Sequence, residues 1–291
     1  MIEAALKEQT TANVLNFPQD TTERVGEIFT IENELLTRDK KYQWLVALSD
    51  LHEGSMNCRH SLLLRWLSWC RENNALILFP GDLINNSLIN SVGSPYNEPL
   101  SPEKQAQKVI RILLPYKDLI IGIIGGNHER RTQKQAGFNP ITYIATALFG
   151  CDKDGYPKQC YPEECFLKIQ FGKNSRSGDP ITYLVFSTHG WGGGRKSGGT
   201  LNSTESLLEF IPADLIITGH KHVDIRSVKV RYEADIRNNC INKKLVHFMV
   251  CPSFLDREDY AKTKGLAPTP LGAGVALLNG KKKQIITLIA G

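Results

Sequence analysis

No apolar run in this sequence approaches the roughly 18–20 residues that a membrane-spanning helix needs. The N-terminal stretch also lacks a basic start followed by an apolar segment, so neither a membrane span nor a secretory signal is expected. Cysteine is scarce and unpatterned. The seven residues at 58, 70, 151, 160, 165, 240 and 251 include no CxxC pair, which argues against a disulfide framework and for a reducing, cytoplasmic setting. Cys151, Cys160 and Cys165 lie close together, but their spacing matches no common zinc pattern and Cys165 opens the strand-like run CFLKIQF. They read as buried or free thiols. Strong charge of one sign is missing too: Lys+Arg 35 against Asp+Glu 30 leaves +5, which admits an anionic substrate without demanding nucleic acid. There is no internal repeat and no linker.

What remains is an ordinary globular composition, 41% hydrophobic and 22% charged over 291 residues, with apolar runs recurring along the chain. Residues 1–25 are polar and aperiodic and read as a loosely ordered leader to one domain over 26–291. WLVALS at 44–49, LILF at 76–79 and the run 119–124 have the continuous apolar character of strands covered on both faces. Residues 60–73 have helical spacing, with Leu63, Trp66, Leu67 and Cys70 on one face. Ser101-Pro102-Glu103 opens a helix running to Pro115, and 140–149 forms another. The second half predicts strands at 166–171, 181–187, 215–218, 223–234, 244–251, 274–278 and 284–289, with a helix at 203–210. The order implies an α/β protein: a four-layer α/β/β/α sandwich of two mixed β-sheets flanked by helices.

Seven histidines are present, and five of them follow directly on apolar runs. The segments read WLVALS-Asp50-Leu51-His52, LILFPG-Asp82, LIIGIIGG-Asn127-His128-Glu129, YLVFST-His189 and DLIITG-His220-Lys221-His222. Sites in α/β sheets form outside the carboxyl ends of strands, so these side chains are expected at one edge. In a D-x-H or H-x-H pair at a strand end, residues i and i+2 point to the same side. Carboxylates, a carboxamide and imidazoles suit Mn²⁺, Fe²⁺ or Zn²⁺, and seven ligands fit two ions sharing a carboxylate.

These five motifs, in this order over residues 50–222, resemble those of the calcineurin-like metallophosphoesterase superfamily. The resemblance implies the two-sheet sandwich and a dinuclear centre, with Mn most in keeping and Fe or Zn as alternatives, that activates a bridging hydroxide. It implies that Asp50, His52 and His222 hold one ion, that Asn127, His189 and His220 hold the other, and that Asp82 bridges. His128 would touch the substrate as the catalytic group, with Glu129 orienting it from behind. The bland reading of any one such Asp or His is a cap or turn residue; the five motifs together do not arise that way. His60 and His247 fit no motif and read as helix-start and strand residues.

The glycine-rich loop 190–199 has Arg195 where a phosphate-binding Walker loop needs Gly before its Lys. Two readings stand for Arg195 and Lys196, contact with a substrate phosphate or solvated charges on a loop. Trp191 could stack on a base, although packing is the simpler reading. Arg130 and Arg131 face substrate or solvent. Lys281-Lys282-Lys283 reads as a solvated hairpin turn. The leading functional reading is a metal-dependent phosphodiesterase or nuclease acting on nucleic acid or nucleotides, with no membrane partner. Phosphomonoesterase activity on small molecules or proteins is the alternative, and a non-catalytic scaffold the third. The protein-phosphatase branch expects an Asp-Arg pair after Gly81-Asp82, where this chain continues Leu83-Ile84-Asn85-Asn86.

Overall fold

A computed structural model describes residues 26–89, 91, 95–173, 178–192, 197–257, 265 and 267–290. The expected leader over 1–25 lies outside the described residues, as do Arg195 and Lys196.

Runs that are apolar at every position become strands buried on both faces: all of β3 (Leu76–Phe79) and β4 (Ile120–Ile124) is buried. With β2 (Tyr42–Ala47) and the short β5 (Cys160–Tyr161) they form the parallel half of the first sheet. That sheet is completed by β11 (Ala273–Asn279) and β12 (Ile285–Ala290) in the order β12-β11-β2-β3-β4-β5, both joins being antiparallel. The second sheet runs β1-β6-β7-β8-β10-β9, from β1 (Ile28–Thr30), β6 (Glu164–Gln170), β7 (Thr182–Thr188), β8 (Leu215–Thr218), β9 (Ile225–Asp235) and β10 (Cys240–Val250). It too mixes parallel and antiparallel pairs.

Three buried clusters define the layers. Leu45, Leu78, Ile121, Leu167, Val185, Ile217 and Met249 fill the space between the sheets. Val46, Ile77, Phe79 and Ile123 pack outward on the helices α1 (His60–Glu72), α2 (Pro102–Leu113) and α4 (Pro140–Phe149). On the other side, Phe186, Ile216 and Phe248 meet Leu207 and Ile211, beside α5 (Ser197–Glu205). The α/β/β/α sandwich expected from the sequence is the observed architecture.

Several details differ. On α1 Leu63, Leu67 and Cys70 are buried, while Trp66 is only partly covered, edge-on to Trp69 at 5.8 Å. A helix absent from the sequence reading, α3 (Asn127–Ala136), follows β4, and Glu129 is its one buried residue. With so little apolar surface to cover, it leaves no hydrophobic period to read. The helix expected at 203–210 starts earlier: α5 runs Ser197–Glu205 and passes into a 3-10 turn at Ser206–Glu209. Its sequence, SGGTLNSTE, includes Ser203 and Thr204, whose hydroxyls bond back to the Thr200 carbonyl. Strands β1 and β5, three and two residues long, were too short to carry a pattern. The lysine turn is less solvated than expected, because Lys283 Nζ pairs with the buried Asp214 at 2.6 Å.

Candidate metal centre

Parallel β2, β3 and β4 end at one edge of the first sheet, and β7 and β8 end facing it from the second. The sheets meet there: the backbone amide of His220, after β8, donates to Asp50 Oδ2, after β2, at 2.9 Å. Glycine makes the approach possible, since a Cβ at Gly219 would overlap Ser49 Oγ and one at Gly126 would overlap Asp82.

The expectation that D-x-H and H-x-H lie on strand ends is corrected. Strand β2 stops at Ala47 and β8 at Thr218, so Asp50, His52, His220 and His222 lie beyond them in loops. Each takes a left-handed backbone, φ 54, 49, 68 and 53°, as does Asp82 at 53°. Two left-handed residues two positions apart turn both side chains inward, which pleat alternation would have done in a strand. Such conformations cost roughly 1–3 kcal/mol each and persist where surrounding structure imposes them. The loops supply that frame: Asp50 N–H bonds Gly81 O, His52 N–H bonds Asp82 O, and Glu53 N–H bonds Leu83 O, all at 3.0 Å.

Seven expected ligands converge. Asp82 sits in the middle, its Oδ2 at 3.2 Å from His189 Nε2, 3.7 Å from His128 Nε2 and 3.9 Å from His52 Nε2. Asp50 Oδ1, buried without a hydrogen bond, faces His222 Nε2 at 3.1 Å. Asn127 Oδ1 lies 3.0 Å from His189 Nε2 and 2.9 Å from His220 Nδ1. Among the described residues, three groups have ligand atoms mutually within 4.8 Å: Asp50, His52 and His222; Asp82, His189 and His220; and His52, Asp82 and His128.

Imidazole tautomers decide whether this set suits a cation. A carbonyl oxygen only accepts, so each ring nitrogen bonded to one carries the proton. His52 Nδ1 donates to Asn85 Oδ1 (3.0 Å), His128 Nδ1 to Asn85 O (2.5 Å), His189 Nδ1 to Pro80 O (2.7 Å) and His220 Nε2 to Gly192 O (3.0 Å). In the neutral rings the opposite nitrogens are acceptors, and they face the Asp82 and Asn127 oxygens, also acceptors. Acceptors crowded against acceptors are what divalent ions bind, and outward N–H groups tied to carbonyls are the usual support of metal-binding histidines. The donor set therefore fits the expected ions. Titration reflects the same field. With no cation bound, a proton takes that place on His189: burial opposes its charge, yet the Asp82 carboxylate beside Nε2 raises its pKa to about 10. Asp50 is raised by burial and lowered more by His222, to about 2.

Glu129 acts differently from the sequence expectation. Its carboxylate accepts the backbone amides of Asp82 (3.2 Å), Ile84 (3.1 Å) and Gly126 (3.0 Å), so it ties the Asp82 loop to the start of α3. The His128 ring is held instead by Asn85 O and by Arg131, whose Nη2 donates to His128 Nε2 at 2.9 Å. Arg130 turns away toward Glu163, 3.7 Å distant. Trp191 is 50% exposed beside a small crevice formed with Thr204, Leu207 and Lys221. Sequence reasoning missed Asn85 and left Arg131 undecided; the signal for Asn85 was an Asn pair in the loop just after Gly81-Asp82.

A sequence model of the calcineurin-like phosphoesterases matches residues 44–224, more than half the chain and every residue of the centre. The chain belongs to the calcineurin-like phosphoesterase family. Among solved structures, it is similar to the phosphoesterase Yfce from E. coli, at 15% identity over 84% of this chain and 98% of that one, with a TM-score of 0.39. It is similar also to the calcineurin-like phosphoesterase YfkN from Bacillus subtilis (13% identity, 82% and 85% covered, TM-score 0.38). A third is GAP50, the anchor in the inner membrane complex of Plasmodium (13%, 85% and 84%, TM-score 0.44). No curated protein sequence matches the chain. Membership of the calcineurin-like phosphoesterases makes the chain a phosphoester hydrolase of a metal-binding family, and among the described residues no helix is long and apolar enough to cross a membrane.

Proposed function

We propose that this calcineurin-like phosphoesterase is a two-metal hydrolase of phosphodiesters in nucleic acid or nucleotides. The observation that carries the metal reading is the inward-facing acceptor set around Asp82, with four imidazoles anchored from outside. Asp50, His52 and His222 hold one ion, Asn127, His189 and His220 the other, and Asp82 is shared. When bound, two divalent cations, Mn²⁺ foremost, supply the charge that polarises the phosphoryl group and activates water near neutral pH.

The residues of the chain do the rest. His128 Nε2 faces the shared carboxylate, and it is the imidazolium form, protonated at Nε2 as well as Nδ1, that would give a proton to the substrate's leaving oxygen. Burial lowers its proton affinity below the ordinary value, with Asp82 and Arg131 acting on it in opposite directions. Arg131, adjoining His128, offers a guanidinium to a phosphate oxygen. The net charge of +5 supports a polyanionic substrate. Arg195 and Lys196 would add to that attraction from the loop after His189. Strands from both halves of the chain enter each sheet, which supports one domain over 26–291. Seven free cysteines support a reducing, cytoplasmic setting.

The test is a substrate panel assayed with Mn²⁺ and with chelator: aryl diesters and monoesters, cyclic nucleotides, and single- and double-stranded DNA and RNA. Mn²⁺-dependent turnover of diesters, abolished by chelation, is expected. Turnover of monoesters alone would replace the substrate reading with the phosphomonoesterase one, and no turnover with no metal uptake would remove the two-metal reading.

A further inference from the structure

Asn85 is 7% exposed and lies three residues beyond Asp82, in the loop after β3. Its backbone N–H is tied to Glu53 O at 3.0 Å, which fixes the loop against the segment carrying His52. Its side-chain oxygen accepts from His52 Nδ1 at 3.0 Å, and its main-chain oxygen accepts from His128 Nδ1 at 2.5 Å. The orientation of the amide is itself determined. Nδ2 donates to Glu98 Oε1 at 2.6 Å, and a carboxylate accepts only, so Oδ1 must be the atom turned to His52. Glu98 is held in turn by the Ser87 amide at 3.0 Å and by Gln105 Nε2 at 2.5 Å.

Without such a partner an imidazole divides between two tautomers, and one of them would point N–H at Asp50 and Asp82 rather than a lone pair. We propose that Asn85 is the positioning residue of this centre: its side chain fixes His52 and its backbone carbonyl fixes His128, so that each ring turns Nε2 toward the carboxylates. Glu98 sets the direction of the amide. The proposal rests on the two-metal reading only for its consequence; the tautomer claim concerns the metal-free protein.

Two measurements on the full chain test it. Long-range ¹H–¹⁵N spectra of [¹⁵N]histidine-labelled, metal-free protein at pH 8 should show His52 and His128 protonated at Nδ1. In Asn85→Ala, His52 should shift toward the Nε2–H form while His128, bonded to a main-chain atom, keeps its own. Glu98→Gln, which leaves Asn85 in place, should move His52 part of the way. Asn85→Asp combined with Glu98→Gln restores acceptor and donor and should restore the His52 signal. Mn²⁺ titration followed by electron paramagnetic resonance should find one site weakened about 10–100-fold in Asn85→Ala and the other unchanged. A His52 signal indifferent to both Asn85→Ala and Glu98→Gln overturns the proposal. Wild-type protein that binds no Mn²⁺ yet shows the expected tautomers would instead remove the two-metal reading and leave the positioning intact.

Discussion

Asp82 lies within reach of three imidazoles, and its Oδ1 also accepts the backbone N–H of His128 at 2.9 Å. Removing it takes a ligand from both proposed ions at once. Asp82→Ala should therefore lose both metals by elemental analysis, and its turnover should fall further than in any other single ligand variant. His128 poses a different question. On an unactivated diester the leaving alkoxide needs a proton, so His128→Ala should cost roughly 10²–10⁴-fold in rate with metal content retained. On an aryl diester, whose leaving group needs little help, the loss should be much smaller. Equal losses on both would assign His128 to stabilising charge rather than donating a proton. Cysteine reactivity follows burial: Cys151 and Cys240 are exposed, whereas burial pushes Cys70 and Cys251 up to about 12. A thiol reagent on native protein should modify the first two rapidly and the second two only after unfolding.

Among the elements, α3 depends on tertiary support. Its sequence NHERRTQKQA buries Glu129 alone, and that carboxylate caps the Gly126 amide while holding the Asp82 and Ile84 amides of the neighbouring loop. Glu129→Ala leaves those buried donors without their acceptor, at a cost of about 1–3 kcal/mol, measurable as a lower urea midpoint. The loop after β8 has a comparable vulnerability. A Cβ at Gly219 would overlap Ser49 Oγ and press on Asp50 Oδ2 at 2.7 Å. Gly219→Ala should weaken the site formed by Asp50, His52 and His222 while the protein still folds, read as loss of one Mn²⁺ in titration.

For the whole molecule, the centre lies where loops from both sheets meet, so ions bound there would join the two halves of the sandwich. Ligand that binds only the folded state stabilises by about 2.7 kcal/mol at a hundredfold excess over Kd. For a chain of this size that raises Tm by on the order of 5 °C per saturated site. Calorimetry with Mn²⁺ against chelator should show the rise, and Asp82→Ala should abolish it.

Strands β3 and β8 were legible to the residue because a segment buried on both faces must be apolar throughout, and helix α4 because Asn139 and Gly150 mark its ends. The gathering of Asp50, His52, Asp82, Asn127, His128, His189, His220 and His222 at one edge was legible for a related reason: each follows a run that had to be a strand. The backbone of those residues was not: left-handed φ occurs at Asp50, His52, Asp82, His220 and His222, and at Asp50 and His52 it goes with backbone bonds to the Gly81–Asp82 loop, distant in sequence. Nor were α3, which has no apolar period, and the roles of Glu129, Asn85 and Arg131. Those roles rest on hydrogen bonds between segments distant in sequence, such as Glu129 to Asp82 and Arg131 to Asn85 O, and these exist only once β3, β4 and α3 are packed side by side. Local sequence therefore determined which groups reach the edge; tertiary structure decided which nitrogen each histidine turns inward, because that depends on the carbonyl waiting on its other side.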